Sequence, residues 1–129
     1  MKPKVLIVDD DTVMHLLYKR PLANAGYDLL TAKSGEEARK IVLDQTPQII
    51  VMDIMMPGLD GLSVLRDLKR SGLGAEVPVI VATANLERYT TAQQEAKDSG
   101  AIAFLSKPLS PARLVAEIQR FVPVPAGNP

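Results

Sequence analysis

The sequence has no cysteine, so no disulfide braces the fold and no thiolate can hold a metal. It has no net charge either: 15 Lys and Arg residues balance 15 Asp and Glu residues. The basic footprint of a dedicated DNA- or RNA-binding domain is therefore missing, and direct nucleic-acid binding is not expected. Aromatic residues make up 4% of the chain, which leaves little for a base-stacking surface. Long apolar runs are also lacking. Val5–Val8 and Ile49–Met52 are strand-sized, and nothing is long enough to span a membrane. Met1-Lys2-Pro3-Lys4 is charged, but the apolar run after it ends directly in Asp9-Asp10-Asp11. A secretory signal is thus not expected, and a cytoplasmic location is the default. What the chain does have is an apolar fraction of 47% in 129 residues, enough for one domain with one core.

Short apolar runs alternate with amphipathic segments. Val5–Val8, Tyr27–Ala32, Ile49–Met52, Val77–Ala82 and Ala101–Leu105 read as five strands. A helix from Thr12 to about Ala25 follows the first, with Asp11 or Thr12 as its cap, Gly26 at its end, and Pro21 set to kink or shorten its last turn. Ser34-Gly35-Glu36-Glu37 is a capping-box pattern opening a helix to about Gln45. Met56–Gly61 reads as a turn-rich loop, Leu62–Ser71 as a helix, and Glu87–Ser99 as a helix with a poor apolar face. Ser110-Pro111 starts a last helix ending near Val122. Residues 1–122 form the domain, and 123–129 a Pro/Gly-rich tail or linker. Strict βα alternation predicts an α/β, doubly wound parallel sheet with helices on both faces.

In such sheets ligands bind beyond the carboxyl ends of the strands, so the residues there carry the chemistry. They are Asp9, Asp10 and Asp11 after the first strand, Asp53 after the third, Thr83 after the fourth, and Lys107-Pro108 after the fifth. Clustered carboxylates stay ionised only beside a compensating cation. An all-oxygen ligand set points to a hard ion, Mg²⁺ or Mn²⁺. Metal, ammonium and hydroxyl together suit the equatorial oxygens of a transferring phosphoryl group, and a carboxylate can be its nucleophile. Other readings are structural. Asp11 suits a cap, Asp60 a turn, His15 a surface or packing residue, and Met52, Met55 and Met56 core or loop filler.

Four segments, Val5-Leu6-Ile7-Val8-Asp9-Asp10-Asp11, Val51-Met52-Asp53-Ile54-Met55-Met56-Pro57-Gly58-Leu59-Asp60-Gly61, Val81-Ala82-Thr83-Ala84 and Phe104-Leu105-Ser106-Lys107-Pro108, resemble the signatures of response-regulator receiver domains of two-component phosphorelays. The resemblance runs from about Lys4 to Val122. It implies a flavodoxin-like (βα)5 three-layer sandwich with strand order 2-1-3-4-5. It implies that Asp53 accepts a phosphoryl group from the phosphohistidine of a sensor histidine kinase or phosphotransfer protein. Asp9, Asp10, Asp53 and the Met55 carbonyl would hold Mg²⁺, Thr83 and Lys107 would receive the phosphoryl oxygens, and Thr83 with Phe104 would form the switch. The Lys107–Pro108 bond would be cis. Output would pass through the face made by the Glu87–Ser99 helix, the fifth strand and the last helix, to a separate protein, a tethered domain or a phosphorylation-dependent dimer. Such a domain is not a conventional enzyme: it takes phosphate from small donors with Mg²⁺ and loses it slowly. Met55 and Asn85 match positions where receivers tune that loss, and an apolar Met55 predicts slow hydrolysis. Two alternatives stand beside this reading. One is a receiver-like interaction module that is not phosphorylated. The other is a haloacid-dehalogenase-like phosphatase with Asp9 as nucleophile, for which the chain is short.

Overall fold

In the computed structural model, the structure describes residues 2–53, 55–56, 59–71, 77–83 and 100–124, with the backbone alone for 55–56, 59–62 and 71. The elements are β1 Lys4–Val8, α1 Thr12–Asn24, β2 Asp28–Ala32, α2 Gly35–Gln45, β3 Ile49–Asp53, β4 Met55–Met56, β5 Leu59–Asp60, α3 Gly61–Ser71, β6 Val79–Thr83, β7 Ala103–Ser106 and α4 Pro111–Phe121. The segment expected to be a helix, Glu87–Ser99, lies outside the described residues, as do Asn85 and the tail beyond Val124.

Five strands form one parallel sheet in the order β2-β1-β3-β6-β7, which is the 2-1-3-4-5 order among the strands of this sheet. Its central strands β1, β3 and β6 are buried on both faces because helices cover both. Strand parity sorts the core. Leu6, Val8, Ile50, Met52, Val79 and Val81 pack toward α2 and α3 with Ala38, Val42, Val64, Leu65 and Leu68. Val5, Ile7, Ile49, Val51, Ile80 and Ala82 pack toward α1 and α4 with Tyr18, Leu22, Leu114 and Ile118. No helix among the described residues is long and apolar enough to cross a membrane.

Local chemistry sets the helix ends. Asp11 caps α1 by accepting from the Val13 N–H at 3.0 Å, as its position after the strand suggested. Ser34 caps α2 through the Glu37 N–H, but Glu37 returns its carboxylate to the Lys33 N–H rather than to that of Ser34. The box is thus one residue wider than its pattern predicts. Ser110 accepts from the Arg113 N–H, and Pro111 opens α4 where its missing N–H costs nothing.

Several boundaries differ from the pattern-based reading. Pro21 does not end α1, which continues to Asn24. The proline lacks only the N–H that would reach the Leu17 carbonyl, and Leu17 is exposed, so water can satisfy that oxygen. Within Met56–Gly61, read as a turn-rich loop, β5 (Leu59–Asp60) pairs antiparallel with β4 (Met55–Met56), and Gly61 already opens α3. Thr83 is the last residue of β6, not the first after it. Tyr27 precedes β2 and is buried at a corner, where its hydroxyl donates to the Val122 carbonyl at 2.5 Å. Val124 packs there too, 3.2 Å from where a Cβ on Gly26 would lie; Gly26 has φ +97°. The packed body therefore extends past Val122 to Val124, because this side chain finds the α1–β2 corner.

Two stability outcomes follow from this packing. Leu114→Ala, at 0% exposure, should cost about 3 kcal/mol in denaturant unfolding, whereas Leu43→Ala, at 62%, should stay within about 0.5 kcal/mol. Tyr27→Phe keeps the ring and strands the Val122 carbonyl, so a loss of about 1–2 kcal/mol is expected in the same assay.

Candidate functional site

Strand parity also builds the site. Val5 and Ile7 face α1 and α4, and so does the next odd position, Asp9. The ladder carries on to Asp9, whose N–H donates to the Ala32 carbonyl at 2.9 Å. Ile49 and Val51 face the same way, and Asp53 closes that series at the end of β3. Leu105 does so in β7, and Lys107 follows it, its N–H donating to the Thr83 carbonyl at 2.8 Å. Three strands thus deliver Asp9, Asp53 and Lys107 to one face at one end of the sheet.

There the charges meet. The Lys107 ammonium donates to Asp9 Oδ2 at 2.6 Å and to Asp53 Oδ2 at 3.0 Å. Both carboxylates are buried, and Asp9 also accepts from the Asp11 N–H at 3.0 Å. Burial works against the lysine's charge, but its hydrogen bonds to Asp9 and Asp53 and their negative charge outweigh that, so its pKa lies above the ordinary lysine value. The ammonium is the compensating cation that two buried carboxylates require.

Asp10 is exposed on the open side. Asp9, Asp10 and Asp53 each offer an oxygen, and these lie within 4.8 Å of one another. Such a hard, all-oxygen donor set, open to solvent on the Asp10 side, fits a divalent cation that keeps several waters. Met55 begins β4 two residues after Asp53 ends β3.

Thr83 is fully buried and belongs to the opposite parity, with Val79 and Val81. In the β6–β7 ladder Thr83 pairs with Ser106, and Val81 pairs with Phe104. Phe104 is therefore the diagonal neighbour of Thr83, and it packs against the same α2–α3 side of the core as Val81. The Lys107–Pro108 bond is cis, as expected.

Two residues of α1 also reach this region. His15 is a packing residue: it is buried, and burial holds its pKa below the ordinary value although the nearby Asp9 charge raises it. Its Nε2 has no partner among the described residues. Tyr18 was not singled out in the sequence, yet its buried hydroxyl donates to the Leu109 carbonyl at 2.7 Å. The available signal was the spacing of His15, Tyr18 and Leu22, which marks the buried face of α1. Asp11 is the helix cap and Asp60 lies in β5 just before α3, both structural placements.

Comparison with known proteins agrees with this fold. Residues 5–119 match the response regulator receiver domain. The chain is 35% identical over 115 residues to the phosphate regulon transcriptional regulatory protein PhoB of Pseudomonas aeruginosa, covering 89% of this chain and 49% of that protein. It is 34% identical over 119 residues to the alkaline phosphatase synthesis transcriptional regulatory protein PhoP of Bacillus subtilis, covering 92% and 48%. The chain thus spans about half the length of the curated relatives it matches. Among solved structures, Vibrio cholerae chemotaxis protein CheY4 superposes with a TM-score of 0.87 at 28% identity, covering 95% of this chain and all of that one. The receiver domain of sensor histidine kinase PA1611 from Pseudomonas aeruginosa, solved with magnesium in its active-site cleft, gives 0.81 at 28% identity, covering 94% and 98%. The dehalogenase-like alternative is a different family. By sequence match, strand order and structural similarity, this chain belongs to the response regulator receiver domain family.

Proposed function

We propose that this receiver is a phosphorylation-controlled switch whose phosphoacceptor is Asp53, charged by the phosphohistidine of a sensor histidine kinase or a phosphotransfer protein. The observation that carries this reading is the Lys107 ammonium seated 2.6 Å from Asp9 and 3.0 Å from Asp53, beside a third carboxylate, Asp10. Asp9, Asp10 and Asp53, with the Met55 carbonyl, are the groups that would hold Mg²⁺, with Mn²⁺ as the alternative. Bound there, the ion would neutralise carboxylate charge and draw a phosphoryl oxygen toward Asp53.

The chain's own groups do the rest. An Asp53 carboxylate oxygen forms the new P–O bond as the P–N bond to the donor histidine breaks. The electron pair of that bond returns to the imidazole, which takes a proton from solvent. Lys107 is already charged and in place, so it can trade a carboxylate contact for a phosphoryl oxygen without crossing the site. Thr83 offers its hydroxyl to a second oxygen. Drawing Thr83 toward the phosphate opens space on the face it shares with Phe104, and the diagonal placement of that ring lets it follow. The added charge, about two negative units at neutral pH, would thereby bias a packing equilibrium.

Output would leave through the face that includes β7 and α4. PhoB and PhoP are named transcriptional regulators and are about twice as long as this chain, which supports a tethered output domain. Nucleic-acid contact would then belong to that domain, because the receiver's residues carry no net charge. A phosphorylation-dependent dimer is a second form such output can take.

Acetyl phosphate with Mg²⁺ should label the wild-type protein and leave Asp53→Asn unlabelled, read by intact-mass spectrometry. Label at wild-type level in the variant would overturn the assignment, and an unlabelled wild type would favour an unphosphorylated interaction module. Lys107→Met removes the cation that competes with a metal for Asp9 and Asp53. Calorimetric Mg²⁺ titration should therefore show roughly tenfold tighter binding in that variant, while labelling slows.

A further inference from the structure

We propose that Tyr18 is a positioning residue for Lys107: its buried hydroxyl, donated to the Leu109 carbonyl, sets where the lysine-bearing loop presents its ammonium to Asp9 and Asp53. Its consequence for phosphoryl transfer rests on the phosphoacceptor reading of Asp53; the geometric part does not.

The segment from Lys107 to Leu109 has few places where it can be held. Lys107 is anchored upstream, its N–H donating to the Thr83 carbonyl at 2.8 Å. Pro108 has no N–H, so it offers no donor of its own. The anchor beyond it is the Leu109 carbonyl, which accepts from Tyr18 at 2.7 Å across 91 residues of sequence. Leu109 is buried at 7% exposure and Tyr18 at 4%, and both belong to the core on the α1–α4 side. The bond is thus shielded from water, and a carbonyl deprived of it there would have to move to find another donor.

Tyrosine is a costly choice at a core position unless its hydroxyl finds a partner. Burial raises the phenol's pKa, while the Lys107 charge lowers it and the Asp9 charge raises it. The net result keeps the hydroxyl protonated, and therefore a donor, at neutral pH. The same helix face carries the buried His15, three residues before Tyr18. The ammonium bridges two carboxylates at hydrogen-bond distance, and an ångström of drift in its loop would break one contact or both.

Tyr18→Phe tests this, since it keeps the ring and removes only the hydroxyl. The first readout is the Lys107 ¹³Cε signal in the metal-free, unphosphorylated protein, assigned by its loss in Lys107→Met. It should move toward the position of the exposed lysines in Tyr18→Phe; an unmoved signal overturns the inference. The second readout is the labelling rate with acetyl phosphate and Mg²⁺ in a double-mutant cycle. Tyr18→Phe should slow labelling roughly tenfold when Lys107 is present and have little effect in the Lys107→Met background. Equal slowing in both backgrounds would mean that the tyrosine acts through general packing, and would overturn the proposal. If the wild type takes no label, the phosphoacceptor reading fails, and the Lys107 signal alone decides the positioning role. It also decides alone if Lys107→Met takes no label. Should Tyr18→Phe fail to fold, Tyr18→Leu is the second apolar replacement.

Discussion

A single ammonium held between two buried carboxylates is the contact on which the rest of the site depends. Asp9 follows β1, Asp53 ends the adjacent β3, and both contact the same ammonium, so without a cation they would repel each other in a medium that screens poorly. Lys107 supplies that cation from the far end of the chain. The arrangement is partly neutralised by the lysine on one side, and Asp10 faces solvent. A site of this kind can exchange partners with little rearrangement. The lysine serves the carboxylates here, and under the proposed function the same charge would be available to an incoming phosphoryl group.

The sheet makes this possible by parity alone. Alternating side chains split the core into two apolar layers, one under α2 and α3, the other under α1 and α4. The same alternation continues past the strand ends and sends Asp9, Asp53 and Lys107 to the α1–α4 side, while Thr83 and Phe104 stay on the α2–α3 side. The proposed acceptor and the residues proposed to respond to it therefore sit on opposite faces at one end of one sheet. In the proposed switch a change in charge on one face would be registered by packing on the other, because Thr83 lies at the boundary. Its carbonyl holds the Lys107 N–H while its side chain belongs to the opposite layer.

The α1–α4 layer does a second job. Tyr18 and Tyr27 both spend a hydroxyl on a backbone carbonyl near an end of α4, Leu109 before it and Val122 just after it. Tyr18 secures the loop at the site end, and Tyr27 secures the chain where it leaves the domain. With aromatics so scarce, their placement at these two joints says more than their number. Val122 and Val124 are thus fixed at a corner against Tyr27 and Gly26.

Much of this was legible in the sequence. The short β-branched runs, the Asp11, Ser34 and Ser110 caps and the strict βα alternation determined a parallel α/β sheet, because periodicity and capping are local properties. The order of acidic residues, threonine and lysine at the strand ends named the candidate site for the same reason. Residues at the ends of parallel strands must share an edge, whatever the loops do. Tertiary structure decided what depends on contacts distant in sequence. It showed that Pro21 is tolerated because Leu17 is exposed, and that Val124 finds a corner formed about a hundred residues earlier. It also showed that the Lys107 ammonium chooses both Asp9 and Asp53, and that a tyrosine on α1 holds the loop bearing that lysine. Local pattern cannot carry such information, because a hydrogen bond spanning 91 residues leaves no period in the sequence and exists only once the core has closed around it.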